Sequence, residues 1–407
     1  MAENVKKAGL GAAAVALMLM FFIVPSQGAV LAAMPVIGAA FPEVNPADLG
    51  YLSTMVSVGQ IISAVVATAL VTRRILGYKM LFIIAHVIYL IGGLLPMMAT
   101  SYEVILAGRF LFGLGLGMFQ PLLNSVITVL YSDDKKRSDM IGFGNAFFCA
   151  GGVACQMVGG ILCMISWQTT FLYYLVGAVS FIFTIILFKE PTVEQGDMLA
   201  AQKQKFSLPP MVWVYLVLFI LEMVFWYPSL MYTSVLMDMH SMGTPFDAGF
   251  IMSFFTIVGI PVAILWGPFY RIVKKWGLPI AEWLVALCMI VGYFAFQAES
   301  MPLLYVAFAI MGFGQTWHGT AFTIRMGMIV NAATAAMALG LQSSLMNLGG
   351  FISTPYTGWI AEVTGSMEGA FIVGAVGIAI IGVIYVVLNK VVPEQSHQLD
   401  GSEEEAA

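Results

Sequence analysis

Thr72-Arg73-Arg74-Ile75-Leu76-Gly77-Tyr78-Lys79 is a short basic turn set between two apolar runs, at roughly 51–71 and 79–99. A helix needs about 20 apolar residues to cross a bilayer, and each run is of that length. A charged turn of this kind reads as a loop held at a membrane surface. The remaining basic residues obey the same rule. Lys6, Lys7, Lys135, Lys136, Arg137, Lys189, Lys203, Lys205, Arg271, Lys274, Lys275 and Lys390 fall in the N-terminal stub, in every second loop or beside the C-terminal tail. The intervening loops carry neither Lys nor Arg, and only Arg109 and Arg325 lie inside apolar runs. This alternation is the positive-inside pattern. It predicts that both termini are cytoplasmic.

Composition points the same way. The 407 residues are 60% hydrophobic and 10% charged, with a mean hydropathy of +0.93, whereas a soluble domain carries about 25% charged residues. The net charge of -5 owes much to Glu403, Glu404 and Glu405 in the tail. With no basic face beyond the alternate loops, a nucleic-acid partner is not expected. Cys149, Cys155, Cys163 and Cys288 lie in apolar segments with no CxxC pair, so neither a metal site nor a disulfide framework is expected. The first apolar run is of spanning length and reads as a membrane span, not a cleaved leader.

Twelve spans are expected, at roughly 9–33, 51–71, 79–99, 103–130, 141–165, 171–188, 211–236, 249–269, 278–297, 303–329, 335–361 and 369–388. Each must satisfy its own backbone hydrogen bonds in lipid and is therefore helical. The one long polar loop, 189–210, divides the chain into an N-terminal six-helix bundle (1–188) and a C-terminal one (211–390), followed by an acidic tail (391–407). The halves look related. Arg109-Phe110-Leu111-Phe112-Gly113-Leu114-Gly115 in span four matches Phe308-Ala309-Ile310-Met311-Gly312-Phe313-Gly314 in span ten. The basic loop after span two is mirrored after span eight by Gly267, Arg271, Lys274, Lys275 and Gly277. The fold class read from this is an all-α membrane protein with two pseudo-symmetric bundles, and such repeats are typical of secondary transporters.

On these residues the chain resembles the major facilitator superfamily along almost its whole length. Two motifs support the likeness. The loop Ala69–Lys79 corresponds to the family's Gly-x-x-x-Asp-Arg-x-Gly-Arg-Lys, with Thr72 in place of the acid and one extra residue before Gly77. Arg109, Gly113, Gly115 and Gly117 fit its Arg-x-x-x-Gly-x-Gly pattern in span four. The resemblance implies a monomeric alternating-access carrier of the cell (plasma or inner) membrane whose spans one, four, seven and ten line a central cavity. Drug:proton antiporters of the family commonly carry Gly-Pro-x-x-Gly-Gly in span five. Here Gln156 and Met157 occupy the Gly-Pro positions ahead of Gly159 and Gly160, which weakens an efflux reading.

Ionisable groups inside a bilayer cost roughly 2.5–3.5 kcal/mol and are functional candidates by default. Glu222 lies deep in span seven with no basic neighbour in sequence, as a proton-carrying carboxyl would. A structural acid with a polar partner is the plainer reading. Arg109 reads either as a coupling or anion-binding group or as a post that caps carbonyls of neighbouring helices. Arg325 reads either as an anion contact or as a side chain snorkelling to the loop. His318, seven residues before it and on the same helix face, reads as a proton relay or a neutral hydrogen-bonded imidazole. Gln27, Gln120, Asn124 and Gln315, with Trp226, Tyr227 and Trp317, suggest a polar and aromatic cavity wall, although bonds between helices are the plainer account of any one amide. The closely spaced glycines suggest tight helix packing. With no phosphate loop, nucleophile set, metal set or cofactor fingerprint, no enzyme is expected. The function expected is transport of a small organic solute, an organic anion or amphipathic metabolite, coupled to protons, with sodium left open. A multidrug:proton antiporter is the alternative.

Overall fold

The computed structural model describes residues 2–131, 133–191, 208–265, 269, 272–330 and 332–391. Most of the expected central loop, the expected acidic tail beyond 391, and Gly267 and Arg271 lie outside the described residues. Ten helical segments are long and apolar enough to cross a membrane: α1 (Gly11–Ala40), α2 (Pro46–Thr72), α3 (Tyr78–Met98), α4 (Tyr102–Leu130), α5 (Lys135–Cys163), α6 (Trp167–Leu187), α7 (Pro210–Met231), α8 (Pro245–Ile264), α9 (Lys274–Gln297) and α12 (Gly369–Lys390). Two more are at least as long but less apolar, α10 (Met301–Ile329) and α11 (Ala332–Thr364). Among the described residues there is no strand.

Local chemistry sets the helix ends. Asn45 caps α2 through Ala47 N, Ser166 and Thr169 form a capping box at α6, and Thr244 and Asp247 form another at α8, each satisfying amides that the first turn leaves without partners. The start of α3 is held differently. Tyr78 N and Lys79 N both donate to the Glu190 carboxylate at 2.7 Å, so an acid from the far end of the half holds the basic loop. In the other half, Asn389 Nδ2 donates to Lys275 O at 2.6 Å, holding the matching loop from the end of α12. One expectation is revised. The first span was expected at 9–33 as one regular helix. It runs to Ala40, and its middle, Val24–Ala33, is a tighter 3₁₀ stretch beginning at Val24-Pro25. Irregular backbone at membrane depth is tolerated where it lines a cavity.

The two halves pack by one scheme. In the first, α4 packs on α2 and α3, α1 on α5 and α6, and α3 on α6. In the second, α10 packs on α8 and α9, α7 on α11 and α12, and α9 on α12. The two main crossings between halves, α5 on α8 and α2 on α11, are exchanged by the same relation. The glycine repeat has a physical cause here. A Cβ at Gly113 would strike the Val56 carbonyl of α2, and one at Gly312 would strike the Phe255 carbonyl of α8. Equivalent helix pairs thus approach through equivalent residues, as small residues in membrane helices permit.

Candidate functional site

A cavity of about 1080 Å³ lies between the halves, enough for a small organic molecule. Its wall comes from α1, α2, α4, α5, α7, α8 and α11, and includes Gln27, Gln120, Asn124, Trp226 and Tyr227. Gln120 and Asn124 project from one face of α4, a turn apart. None of the wall comes from α10, so the expected lining by spans one, four, seven and ten gives way to a broader set. The 3₁₀ break brings Pro25, Gln27 and Gly28 to the wall. Three buried polar atoms of wall residues, Gln27 Oε1, Gln156 Oε1 and Trp226 Nε1, make no hydrogen bond within the protein. Buried polar atoms are normally paired; these three are unpaired and lie just behind the wall surface, with almost no exposed area in this state.

The cavity is open at one end. Thr72 and Arg73, beside the basic loop, lie on its wall, and Arg73 is exposed. The opposite end is closed by bonds between halves. Thr54 and Thr354 hydroxyls meet at 3.2 Å, the Tyr232 hydroxyl donates to Ala47 O at 2.5 Å, and the Ser234 hydroxyl donates to Leu31 O at 2.5 Å. The Tyr51 and Phe351 rings pack beside them, tilted, with centroids 6.2 Å apart.

The expected ionisable residues do not reach this wall. Arg109 is fully buried. It donates from Nε to Leu52 O at 2.6 Å, from Nη1 to the Tyr174 hydroxyl at 2.5 Å and from Nη2 to Gln27 O at 3.2 Å, and lies over the Phe112 and Tyr174 rings. It ties α4 to α1, α2 and α6. Arg325 bonds the Tyr215 hydroxyl at 3.1 Å and Asn389 Oδ1 at 3.2 Å, near the basic-loop end. Gln315 and Trp317 are likewise absent from the wall.

Glu222, expected to open onto the cavity, is sealed in this state, with 0% exposure. It sits one helical turn from Trp226, about 6 Å along α7, in a cluster. Gln315 Nε2 donates to Glu222 Oε1 at 2.9 Å. His318 Nδ1 lies 3.2 Å from Glu222 Oε2, and His318 Nε2 lies 3.3 Å from Glu282 Oε1. These last two contacts are close but poorly aligned as hydrogen bonds, which leaves both Glu282 oxygens, Glu222 Oε2 and His318 Nε2 without a partner of hydrogen-bond geometry. One donor atom from each of the three side chains lies within 4.8 Å of the others. The ring, however, turns its two nitrogens to different carboxylates. The ring thus bridges the two acids.

Sequence reasoning missed Glu282. The signal was the same as for Glu222, a carboxylate well inside an apolar span. With it, the buried acids among the described residues are Glu222, Glu282 and Glu368 against the two buried arginines Arg109 and Arg325, and two of the acids lie within spans. His318 is also joined by a second buried histidine, His86 of α3, whose nitrogens meet Phe82 O at 2.7 Å and the Ser180 hydroxyl at 3.0 Å.

A sequence profile of the Major Facilitator Superfamily matches residues 10–333. The chain is 27% identical over 97 residues to the Methylenomycin A resistance protein of Bacillus subtilis (strain 168), a stretch covering 24% of this chain and 21% of that protein. It is 28% identical over 149 residues to the 4-hydroxybenzoate transporter PcaK of Pseudomonas aeruginosa, covering 35% of this chain and 33% of that one. The matched stretches span about a fifth to a third of these curated relatives. Among solved structures, a bacterial homologue of the human lysosomal transporter Spinster, in an inward-facing and occupied conformation, superposes with a TM-score of 0.74 at 16% identity, covering 93% of this chain and 96% of that one. At that identity the likeness is one of fold.

Proposed function

The chain belongs to the Major Facilitator Superfamily; it is a multi-pass membrane transporter and not an enzyme, and from that premise we propose that it carries a small amphipathic solute by proton-coupled alternating access. The observation that carries this reading is the cavity wall. Its polar groups are mostly amides and hydroxyls, its apolar groups include Trp226, Tyr227 and Phe255, and among the described residues its one charged member is Arg73 at the mouth. Such a wall suits an uncharged or weakly charged ring-bearing compound. A strongly anionic solute would need a cation deep in the wall, and Arg109 and Arg325 are engaged elsewhere. In this reading Gln27, Gln120, Asn124, Gln156 and Trp226 contact the solute, while Glu222 and His318 exchange the proton one turn away.

By the positive-inside pattern, the termini and the open mouth face the cytoplasm and the Thr54–Thr354 seal faces outward, in the cell membrane. The halves 1–188 and 211–390 rock about the cavity, and the protein acts as a monomer. Proton-driven export is the second reading. The stretch shared with the Methylenomycin A resistance protein favours it, and the aromatic wall suits either direction.

The test is transport in proteoliposomes under an imposed pH gradient, screened over uncharged ring compounds, aromatic acids and lipophilic cations. The expected result is gradient-driven movement of a ring-bearing amphiphile, the sign of the gradient distinguishing uptake from export. Movement confined to multiply charged anions, or indifference to the pH gradient, would contradict the proposal.

A further inference from the structure

We infer that Glu222, His318 and Glu282 form one electrically neutral unit that holds two protons while sealed, the second of them on Glu282. In its significance for transport, this rests on the proton-coupled reading above. The argument is a charge count. All three side chains are at most 1% exposed, and an ionised group sealed in low dielectric is costly unless paired. Among the described residues, the polar partners of the two carboxyls are His318 and Gln315. With neutral imidazole and both acids ionised, the cluster carries two negative charges. One proton on the ring leaves one charge uncompensated. Two protons bring the sum to zero.

The geometry assigns the second proton. Glu222 Oε1 accepts from Gln315, a donor that favours its ionised form. Glu282 has no hydrogen-bond donor on either oxygen. The surroundings add no other compensating charge in contact. Tyr227 of α7 is near Glu222, and Tyr385 of α12 is near both acids; phenols are neutral at pH 7. Arg325 lies two turns along α10 from His318 and is held by Tyr215 of α7 and Asn389. His318 itself stacks on the apolar Phe219 ring, centroids 5.8 Å apart. A divalent ion would also balance two carboxylates, and the three side chains offer ligand atoms within 4.8 Å of one another; elemental analysis separates that case from two protons. Exposure of the unit to water would free both protons together, so a cycle that opens it on alternate sides can carry two.

The experiment counts protons on the protein alone, without a solute. Folded wild type and the variants Glu282→Gln, Glu222→Gln and His318→Gln are unfolded in detergent at pH 7 in weak buffer with a pH indicator, after melting curves have established that each is folded. Unfolded glutamates are ionised and histidine is mostly neutral at this pH, from reference values of about 4.3 and 6.5. Wild type is expected to release about one proton more than Glu282→Gln or Glu222→Gln, and the same number as His318→Gln within a fraction of a proton. Equal release by wild type and Glu282→Gln would overturn the inference, because a single-proton unit predicts that equality. Elemental analysis showing one divalent ion per wild-type chain, lost in Glu282→Gln, would overturn it as well. Should either carboxyl variant not fold, the other carries the same comparison. Transport indifferent to a pH gradient would remove the proposed function and leave this count standing; gradient-driven transport with equal release would do the reverse.

Discussion

Two regions bury ionisable groups within their spans and treat them in opposite ways. In the N-terminal half, Arg109 is bonded through each of its three nitrogens, to acceptors on three other helices, and aromatic rings face the guanidinium. In the C-terminal half, Glu222, His318 and Glu282 touch one another yet leave four polar atoms without a well-formed hydrogen bond. A buried charge bonded through each of its nitrogens is a structural member, since moving it would break all those bonds at once. A buried cluster with unmet valences can change its protonation without dismantling the helices around it. What separates scaffold from machinery here is how fully the charge is satisfied.

This contrast can be broken from the scaffold side first. Arg109→Leu strands the Leu52 and Gln27 carbonyls and the Tyr174 hydroxyl, each at about 1–3 kcal/mol, and is expected to destabilise by about 3 kcal/mol or more. The readout is loss of monodisperse protein or a large fall in Tm. A variant that melts like wild type but does not transport would move Arg109 into the machinery. The matched glycines come next. Gly113→Ala and Gly312→Ala each push a methyl into a facing carbonyl and should each cost about 1–3 kcal/mol. Similar Tm losses in both would sharpen the symmetry of the halves; an unaffected Gly312→Ala would limit it.

Trp226→Phe removes a donor that has no partner in the protein. It should leave Tm unchanged and raise KM several-fold, reflecting about 0.5–1.5 kcal/mol of lost hydrogen bonding. An unchanged KM would take the indole N–H away from the solute. The smallest effect is expected for stability in Glu222→Gln. The amide keeps the shape of the side chain and removes a charge that needs neutralising, so Tm should correspond to a change of about 1 kcal/mol or less. A loss as large as that of Arg109→Leu would erase the distinction between the regions.

Much of the fold could be read from particular residues. The basic turn at Arg73 and Arg74 located a membrane face, and the Gly113 and Gly312 repeats marked equivalent contacts between helices. The irregular stretch at Val24–Ala33 was not anticipated, because apolar length locates a span without reporting how its backbone is wound. The site was less legible. Amides at Gln27, Gln120 and Asn124 announced a polar wall, but Gln60, Gln156 and Asn347 of the same wall were passed over because the expected lining excluded their helices. Glu222 and His318 were visible as costly residues in apolar runs. Their joining with Glu282 depends on how α7, α9 and α10 rotate against one another, and rotation is set by packing that no single run reveals.

The account turns on whether the sealed carboxyl of α7 couples protons to solute. The most direct measurement compares pH-gradient-driven accumulation with solute exchange at equal pH, in proteoliposomes of wild type and Glu222→Gln. The prediction is that the variant loses accumulation and keeps exchange. Accumulation at the wild-type level in the variant would contradict the account.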